Sequence, residues 1–282
     1  MNHLHRELAP VSDRAWAEIR DEARSVLRQF MAARKLVELD GPAGWEHDAV
    51  PTGRTEELAP GPHDGVTGRV RRVQPLVELR ASFELARREL EAVDRGADDP
   101  DLEPVADAAR RVALAEDAAV FDGYAAGGID GIASASPHEP IRITDDYEDY
   151  PSSVAKAVAK LKFEGVEGPY AIALGPRCYQ GVVETTQRGG YPVFEHVRHI
   201  LDGPIVWAPS VNGAVVISQR GGDFELTLGQ DVSIGYLSHD DDTVRLYLEE
   251  SMTFRAIGPE AGIALRYDDT ERPKGRRGSL RR

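Results

Sequence analysis

The chain has 282 residues, of which 41% are hydrophobic, so it is long enough to bury a sizeable core in one large domain or two smaller ones. Its formal net charge of −14 argues against a general nucleic-acid-binding protein, because neutralising phosphates requires clustered Lys and Arg. Cys178 is the only cysteine, which excludes an intrachain disulfide and fits a reducing compartment. No apolar run approaches the roughly 18 residues of a membrane span, so we expect a cytoplasmic protein without membrane contact.

The N-terminal part predicts one helix followed by a long extended segment. Apolar residues recur at spacings of three and four from Trp16 to Phe30, which predicts an amphipathic helix capped by Ser12. Residues 48–78 carry Gly and Pro at short intervals and have little apolar content. A segment of this length cannot bury itself, so we expect an arm or hairpin that lies on a partner surface.

The rest of the chain alternates helices and strands and then ends in strands. Two helices are predicted on either side of Gly96, the second running from about Leu102 to Phe121. Further helices follow in residues 151–201, and strand-like segments occupy most of residues 205–267. This order predicts an α+β fold. Residues 268–282 have almost no apolar content and are basic, which predicts a disordered tail.

Candidate catalytic and metal-binding residues have plainer structural interpretations. The stretch Ser238–Asp242, "SHDDD", lies between two strand-like runs, where Ser and Asp are favoured as turn residues, so we interpret it as a hairpin turn and not a metal site. His196 and His199 share a helix face without a further ligand at metal-site spacing, and the isolated Cys178 is typical of a buried residue. We therefore expect no catalytic residue, no metal and no enzyme activity.

Several separate stretches resemble one known family. They are "LHRELAPVSDRAWAEIRDEA", "GPAGWEH", "ELEAVDRG", "AEDAAVFDGY", "GVEGPYAIAL", "GGYPVFEHV" and "GGDFELTLGQDVSIGYLSHDDDTVRLYLEESMTF". In this order they resemble the encapsulins, the shell proteins of bacterial nanocompartments, earlier described as linocin-type bacteriocins. The resemblance spans about residues 1 to 267 and implies a fold similar to the tailed-phage major capsid proteins.

The resemblance implies three interleaved parts of the chain. Residues 1–47, 79–133 and 220–267 would form a peripheral domain, residues 48–78 an extended arm, and residues 134–219 an axial domain. Many copies would assemble into an icosahedral shell, with the smallest size class expected. That shell would enclose a cargo enzyme, such as a dye-decolourising peroxidase or a ferritin-like protein, docked through a peptide at the cargo's C-terminus.

Two alternative functions use the same fold or family name. A viral capsid protein would package nucleic acid, which predicts a basic inner surface or arm that the charge of −14 opposes. A linocin-type bacteriocin or hydrolase would need a nucleophile or metal site, and the sequence shows no such motif.

The resemblance also implies where the cargo peptide docks, between the N-terminal helix and a late strand. Position 38 has Glu where similar encapsulins often have Asp, which changes the hydrogen bonding available there. Alternatively, the apolar members of this site are simply core residues. The candidate cargo-binding residues are Phe30, Arg34, Leu36, Glu38, Val232 and Ile234.

Two further positions follow from the resemblance. The loop "TTQRGGY" resembles the pore loop at the five-fold axis, and its glycines suit a tight turn. Some encapsulins carry a flavin on an aromatic residue before the "ELEAVDRG"-like helix, but this chain has Arg88 there, so we expect no flavin. The predicted pore-loop residues are Thr185, Thr186, Gln187, Arg188, Gly189, Gly190 and Tyr191.

Overall fold

A computed structural model describes residues 3–267 and shows an α+β fold, which confirms the predicted class. The basic tail predicted for residues 268–282 lies outside the described residues. The helices are α1 (Asp13–Phe30), α2 (Arg87–Arg95), α3 (Glu103–Phe121), α4 (Ile132–Ala135), α5 (Tyr150–Phe163), α6 (Pro176–Glu184) and α7 (Val193–Leu201). The strands are β1 (Glu38–Asp40), β2 (Ala49–Leu58), β3 (Gly68–Pro75), β4 (Val77–Ala86), β5 (Ile141–Ile143), β6 (Tyr170–Leu174), β7 (Ile205–Trp207), β8 (Ala214–Ser218), β9 (Phe224–Leu228), β10 (Ser233–His239), β11 (Thr243–Ala256) and β12 (Gly262–Tyr267).

The first helices begin and end where the sequence predicts. The Ser12 hydroxyl accepts a hydrogen bond from the Ala15 amide at 3.1 Å, so it caps α1 as expected. Helix α2 ends at Gly96, whose φ of 99° is a left-handed conformation that favours glycine at a helix end. Trp16 and Ile19 belong to the buried face of α1, which packs against α3. None of the helices within residues 3–267 combines the length and the hydropathy needed to cross a membrane.

The first of two five-stranded sheets consists of β1, β4, β9, β10 and β11. Strand β11 is its centre: it pairs antiparallel with β10, with β4 and with β9, and β1 adds to β9 in parallel. Helix α3 packs on β4 and β11, and α1 packs on α3. These layers place α1 beside β10 along one side of the sheet, because both border the same buried cluster of apolar side chains.

A second five-stranded sheet has the strand order β5–β12–β8–β6–β7. Every residue of β6 and β8 is buried, since helices pack around this sheet. Strand β12 pairs with β8 and β5, so it belongs to this second sheet and not to the sheet centred on β11. Gly262–Leu265 are buried, and their pairing with β8 satisfies backbone hydrogen bonds that burial would otherwise leave unpaired. The division into a peripheral domain (residues 1–47, 79–133 and 220–267) and an axial domain (residues 134–219) stays a prediction.

Strands β2 and β3 form the predicted arm, an antiparallel hairpin with a register shift between Pro51 and Thr55. Only its base is held to the rest of the described chain, for example by the Gln74 side chain, which donates to the Gly128 carbonyl at 2.8 Å. Leu58 and Val73 are each 52% exposed. The arm thus leaves apolar side chains uncovered within its own chain.

The "SHDDD" stretch lies at the hairpin between β10 and β11, as predicted, although Ser238 and His239 still belong to β10 and only Asp240, Asp241 and Asp242 form the turn. The Asp240 carboxylate accepts hydrogen bonds from the amides of Asp242 at 2.9 Å and Thr243 at 2.7 Å. These bonds, together with one from the Thr243 hydroxyl, lower the pKa of Asp240. The Asp240 carboxylate therefore stabilises the turn itself.

Candidate functional site

A groove of about 450 Å³ runs between α1 and β10, and we call it the α1–β10 groove. Its floor consists of apolar side chains from α1, β10 and β11, and its rim is charged. The apolar lining residues are Ala23, Leu27, Met31, Val232, Ile234 and Leu248. The charged lining residues are Arg6, Arg20, Arg24, Arg28, Arg34, Lys35 and Asp231.

The apolar floor of the groove contains both buried and partly accessible side chains. Ile234 and Leu248 are buried, and they face each other across the paired strands β10 and β11. Leu27 and Val232 are half-buried, so they offer apolar surface that a second molecule could cover. One part of the floor, at Ile234 and Leu248, therefore belongs to the core, and another part, at Leu27 and Val232, is accessible to solvent.

Arginines form one wall of the groove. Arg20, Arg24 and Arg28 are four residues apart on α1, so they lie along one face of the helix, and all three are exposed. Arg6 reaches from the N-terminal segment, where its Nε donates to the Ile234 carbonyl at 2.5 Å. Burial and the nearby positive charge of Arg20 lower the pKa of Arg6. These residues are not among the sequence-predicted site residues, although arginines spaced four apart on a predicted helix are a visible signal of a charged helix face.

Arg34 lies at the end of the groove and is held by three carboxylates. Its guanidinium bonds to Glu116 of α3 at 2.6 Å, to Asp231 at 2.8 Å and to Glu250 of β11 at 2.9 Å. Both glutamate side chains are fully buried, with an exposure of 0%. Arg34 therefore ties α3, β11 and the loop before β10 together, and its charge is already compensated.

Burial raises the pKa of one carboxyl in this ion cluster, Glu250, and of one beside it, Asp117. The pKa of Glu250 is raised well above its usual value by burial and then by the negative charge of Glu116. Burial also raises the pKa of Asp117 to about 7, although its carboxylate accepts hydrogen bonds from the amides of Ala32 and Ala33. The segment after α1 is therefore positioned by buried acidic groups.

The six predicted cargo-binding residues do not all line one surface. Arg34, Val232 and Ile234 line the α1–β10 groove. Leu36 and Glu38 line an adjacent cleft of about 180 Å³, which Arg34 also borders. Leu36 and Ile234 are each 4% exposed, so these two belong to the core, as the alternative interpretation holds.

Phe30 lies outside both the groove and this cleft. Its ring packs edge-on against Trp207 with centroids 5.3 Å apart, and the Arg110 guanidinium lies over it at 5.4 Å. It therefore anchors the end of α1 and does not face the groove.

The predicted pore loop connects α6 to α7. Gly189 and Gly190 have φ values of 107° and 82°, which other residues rarely adopt, and the Gln187 amide donates to the Tyr191 carbonyl at 2.8 Å. The Gln187 side chain also contacts His196 Nδ1 at 2.9 Å. Arg188 is 97% exposed at the tip. The loop is thus a tight turn that presents a cation.

The remaining candidates have structural surroundings. Cys178 is buried with its Sγ 3.1 Å from the Tyr267 hydroxyl, and burial raises the pKa of its thiol, which disfavours a nucleophile. Arg88 is exposed near the start of α2, with its Nε 3.3 Å from a Glu89 carboxylate oxygen. Residues 3–267 contain no group of three or more His, Cys, Asp and Glu arranged to hold a metal ion.

Comparison with known proteins identifies the family. Residues 1–253 match the family Linocin_M18, described as an encapsulating protein for peroxidase. The type 1 encapsulin shell protein of Rhodospirillum rubrum is 55% identical over 271 residues, which cover 94% of this chain and 97% of the relative. The chain belongs to the encapsulin family. This encapsulin is also 45% identical over 265 residues to the type 1 encapsulin shell protein of Mycobacterium tuberculosis, covering 94% and 99% of the two chains.

Solved structures similar to this encapsulin establish the fold. The virus-like particle protein from Pyrococcus furiosus has a TM-score of 0.63 at 16% identity, covering 89% of this chain and 98% of that one. The capsid protein of Myoviridae phage XM1 has a TM-score of 0.53 at 10% identity, covering 81% and 88%. The phage capsid-like fold predicted from the sequence is therefore confirmed.

Proposed function

We propose that this encapsulin assembles with copies of itself into a closed icosahedral shell of the smallest size class, which encloses a cargo enzyme. The observation that carries the proposal is the arm, whose apolar side chains are exposed in the single chain. A neighbouring copy would cover them, and repeated contacts of this kind generate closed symmetric assemblies. The relatives are named as shell proteins, which supports a structural role without enzyme activity.

We also propose that the α1–β10 groove docks a peptide at the C-terminus of the cargo. The groove has an accessible apolar floor at Leu27 and Val232, which a peptide would cover. The family description names a peroxidase as the encapsulated protein, so a dye-decolourising peroxidase is the first candidate and a ferritin-like protein the second. Arg34 supports the groove by holding its end together, and Phe30 by anchoring α1.

The pore loop, residues 185–191, would let small solutes reach the cargo. Its tight turn and the exposed Arg188 suit a loop that lines an opening formed by several copies. A single cysteine supports a cytoplasmic shell. That the shell binds no flavin at Arg88 and packages no nucleic acid stays a prediction, which the absorption spectrum of the purified particle would test.

The assembly is tested by size-exclusion chromatography with light scattering, followed by electron microscopy of the purified protein. We expect hollow particles with a mass many times that of one chain. A monomer or dimer as the only species would contradict the proposal. Nucleic acid inside the particles would instead favour the capsid alternative.

A further inference from the structure

One thiol and three tyrosines meet where β12, α6 and the start of α5 pack together. Cys178 is fully buried, and its Sγ lies 3.1 Å from the Tyr267 hydroxyl. The Tyr267 hydroxyl is also 2.6 Å from that of Tyr147. Burial, followed by the thiol and the two other phenols, raises the pKa of Tyr150, so its buried side chain borders the same group. We call these four side chains the tyrosine–thiol cluster.

Hydrogen bonds connect the cluster in one direction. Tyr147 donates its only hydroxyl proton to the Arg177 carbonyl at 3.0 Å. Tyr267 must therefore donate to Tyr147, and the Cys178 thiol donates to Tyr267. The Tyr150 hydroxyl has no hydrogen-bond partner among the described residues, so it does not divert the thiol proton. A chain of O–H and S–H groups thus runs from half-buried Tyr147 to the buried thiol.

The ring of Tyr267 is also held on its face. The Arg177 guanidinium lies over this ring, 3.9 Å from its centroid, and its Nε donates to Asp145 at 2.8 Å. A cation over an aromatic face is attracted to the ring. The ring cannot turn without losing this contact and the hydrogen bonds of its hydroxyl. The Cys178 sulfur therefore stays near the ring carbons that flank the Tyr267 hydroxyl.

Direct oxidation of this thiol by peroxide is disfavoured. Peroxide attacks the thiolate of an accessible cysteine. Burial keeps solvent away from Cys178 and raises the pKa of its thiol. Transfer of a hydrogen atom does not need a thiolate, because the proton and the electron move together and no charge is created. Phenol O–H and thiol S–H bonds have similar strengths, so such transfers are possible along the cluster's hydrogen bonds.

We propose that Cys178 and Tyr267 form a site of oxidative cross-linking, which a one-electron oxidant in solution reaches through Tyr147. The oxidant takes an electron from Tyr147, and the phenolic proton passes to water. The Tyr147 radical takes the hydroxyl hydrogen of Tyr267, and the Tyr267 radical takes the thiol hydrogen of Cys178. Each transfer breaks one O–H or S–H bond and forms one O–H bond.

A second oxidant completes the cross-link by the same route. It places a phenoxyl radical on Tyr267 beside the Cys178 thiyl radical. The sulfur and a ring carbon next to the hydroxyl then form a bond, and the hydrogen displaced from that carbon restores the phenol. Two electrons and two protons leave the chain for each thioether. The bond would join residues 89 positions apart, which restricts the unfolded chain and so stabilises the fold.

The test uses the fact that Cys178 is the only cysteine of the chain. The purified full-length chain is illuminated with a ruthenium polypyridyl complex and an electron acceptor, which together generate a one-electron oxidant. Thiol titration of the unfolded product then reports on Cys178 alone. Mass spectrometry of a protease digest detects the peptides of Cys178 and Tyr267 joined, with the mass of two hydrogen atoms missing. We expect the thiol to disappear as the joined peptide forms.

Two variants interrupt the chain of hydrogen-bonded groups. Tyr267→Phe removes both the relay and the acceptor ring, so it should abolish the joined peptide and slow thiol loss about tenfold. Tyr147→Phe keeps the acceptor ring but removes the outer phenol, and it should slow cross-linking about fivefold. The second variant tests the same idea if the first does not fold. The matched control is Tyr124→Phe, at an exposed tyrosine outside the cluster, which should cross-link like the unsubstituted chain.

The outcomes distinguish the relay from direct attack on the thiol. Hydrogen peroxide alone should leave the Cys178 thiol intact. Rapid thiol loss with peroxide alone, or equal thiol loss in both phenylalanine variants and the unsubstituted chain, would overturn the relay. Survival of the thiol under the one-electron oxidant, or its loss without a joined peptide, would overturn the cross-link. These results are independent of shell assembly and of cargo docking.

Discussion

Asp117 shows how one buried side chain positions the functional surface. It belongs to α3, and its carboxyl accepts hydrogen bonds from the amides of Ala32 and Ala33, which follow α1. The next residue, Arg34, bonds to Glu116 beside it. These contacts fix the end of α1 against α3, and so they set the position of the groove between α1 and β10.

Asp117→Asn should change how stability depends on pH. Burial raises the pKa of Asp117 to about 7 from its usual 3.8, so the folded chain holds a proton that the unfolded chain releases in between. The free energy of unfolding from this group therefore falls as the pH rises from about 4 to about 7. This loss of stability between the two pH values should amount to about 4 kcal/mol in the unsubstituted chain and should be absent in Asp117→Asn, as measured by denaturant unfolding at several pH values.

The control for Asp117 is Asp99→Asn, which makes the same substitution at an exposed position. Its unfolding curves should follow those of the unsubstituted chain at each pH. If Asp117→Asn leaves the pH slope unchanged, the carboxyl titrates alike in the folded and unfolded chains.

Val232→Asp should weaken cargo docking while leaving the particle intact. Val232 is half-buried on the groove floor, so the new charge can remain hydrated in the free shell but would be desolvated under a peptide. We expect loading of a cargo with its native C-terminal peptide to fall about tenfold or more, measured by co-purification. Leu237→Asp is the matched control, because Leu237 is an exposed residue of β10 outside the groove.

Each result at Val232 has a distinct meaning. Undiminished loading would remove Val232 from the docking site. Failure to assemble would show that the side chain is needed in the core, as the alternative interpretation of this site holds.

At the scale of elements, the turn between β10 and β11 should tolerate replacement. Changing His239, Asp240, Asp241 and Asp242 together to Ser or Asn should leave assembly and metal content unchanged. Asn at position 240 can still accept the bonds from Asp242 and Thr243 that close the turn. Light scattering and elemental analysis of the particles check both points, and loss of a stoichiometric metal would contradict the turn interpretation.

The arm is the element on which assembly should depend. Deleting residues 52–70 removes most of the β2–β3 hairpin, which contributes little to the chain's own core. We expect a folded but unassembled subunit, shown by a native-like circular dichroism spectrum and a small mass in light scattering. The milder variant Leu58→Ser with Val73→Ser tests the exposed apolar contacts alone, and intact particles from the deletion would count against the arm's role.

At the scale of the whole molecule, assembly would increase the strength with which a cargo is held by shallow grooves. One peptide covers a small apolar area, so the affinity of a single site should be modest. A closed shell brings many grooves to one lumen, and a multimeric cargo can engage several of them at once. Weak individual docking is therefore compatible with stable encapsulation.

Local sequence patterns predicted the helix ends and the turn well, because helix ends and turns depend on residues that are close in the chain. The Ser12 cap, the Gly96 helix end and the "SHDDD" turn follow from backbone hydrogen bonding over a few positions. The ion pairs of Arg34 with Glu116 and Glu250 could not be predicted from nearby residues. Arg34 follows α1, Glu116 belongs to α3 and Glu250 to β11, and these parts of the chain meet only when the sheet and α3 pack.

What the sequence alone determined was the α+β class, the arm without a core of its own and, through resemblance, the encapsulin family. Tertiary structure alone decided that Phe30 packs away from the groove, that Leu36 and Ile234 are buried, and that β12 pairs with β5 and β8. The physical reason is that periodicity fixes which face of an element is apolar, whereas the partner of that face depends on residues distant in the chain. The row of arginines on α1 is visible in the sequence, but it forms a wall of the α1–β10 groove only because β10 packs beside the helix.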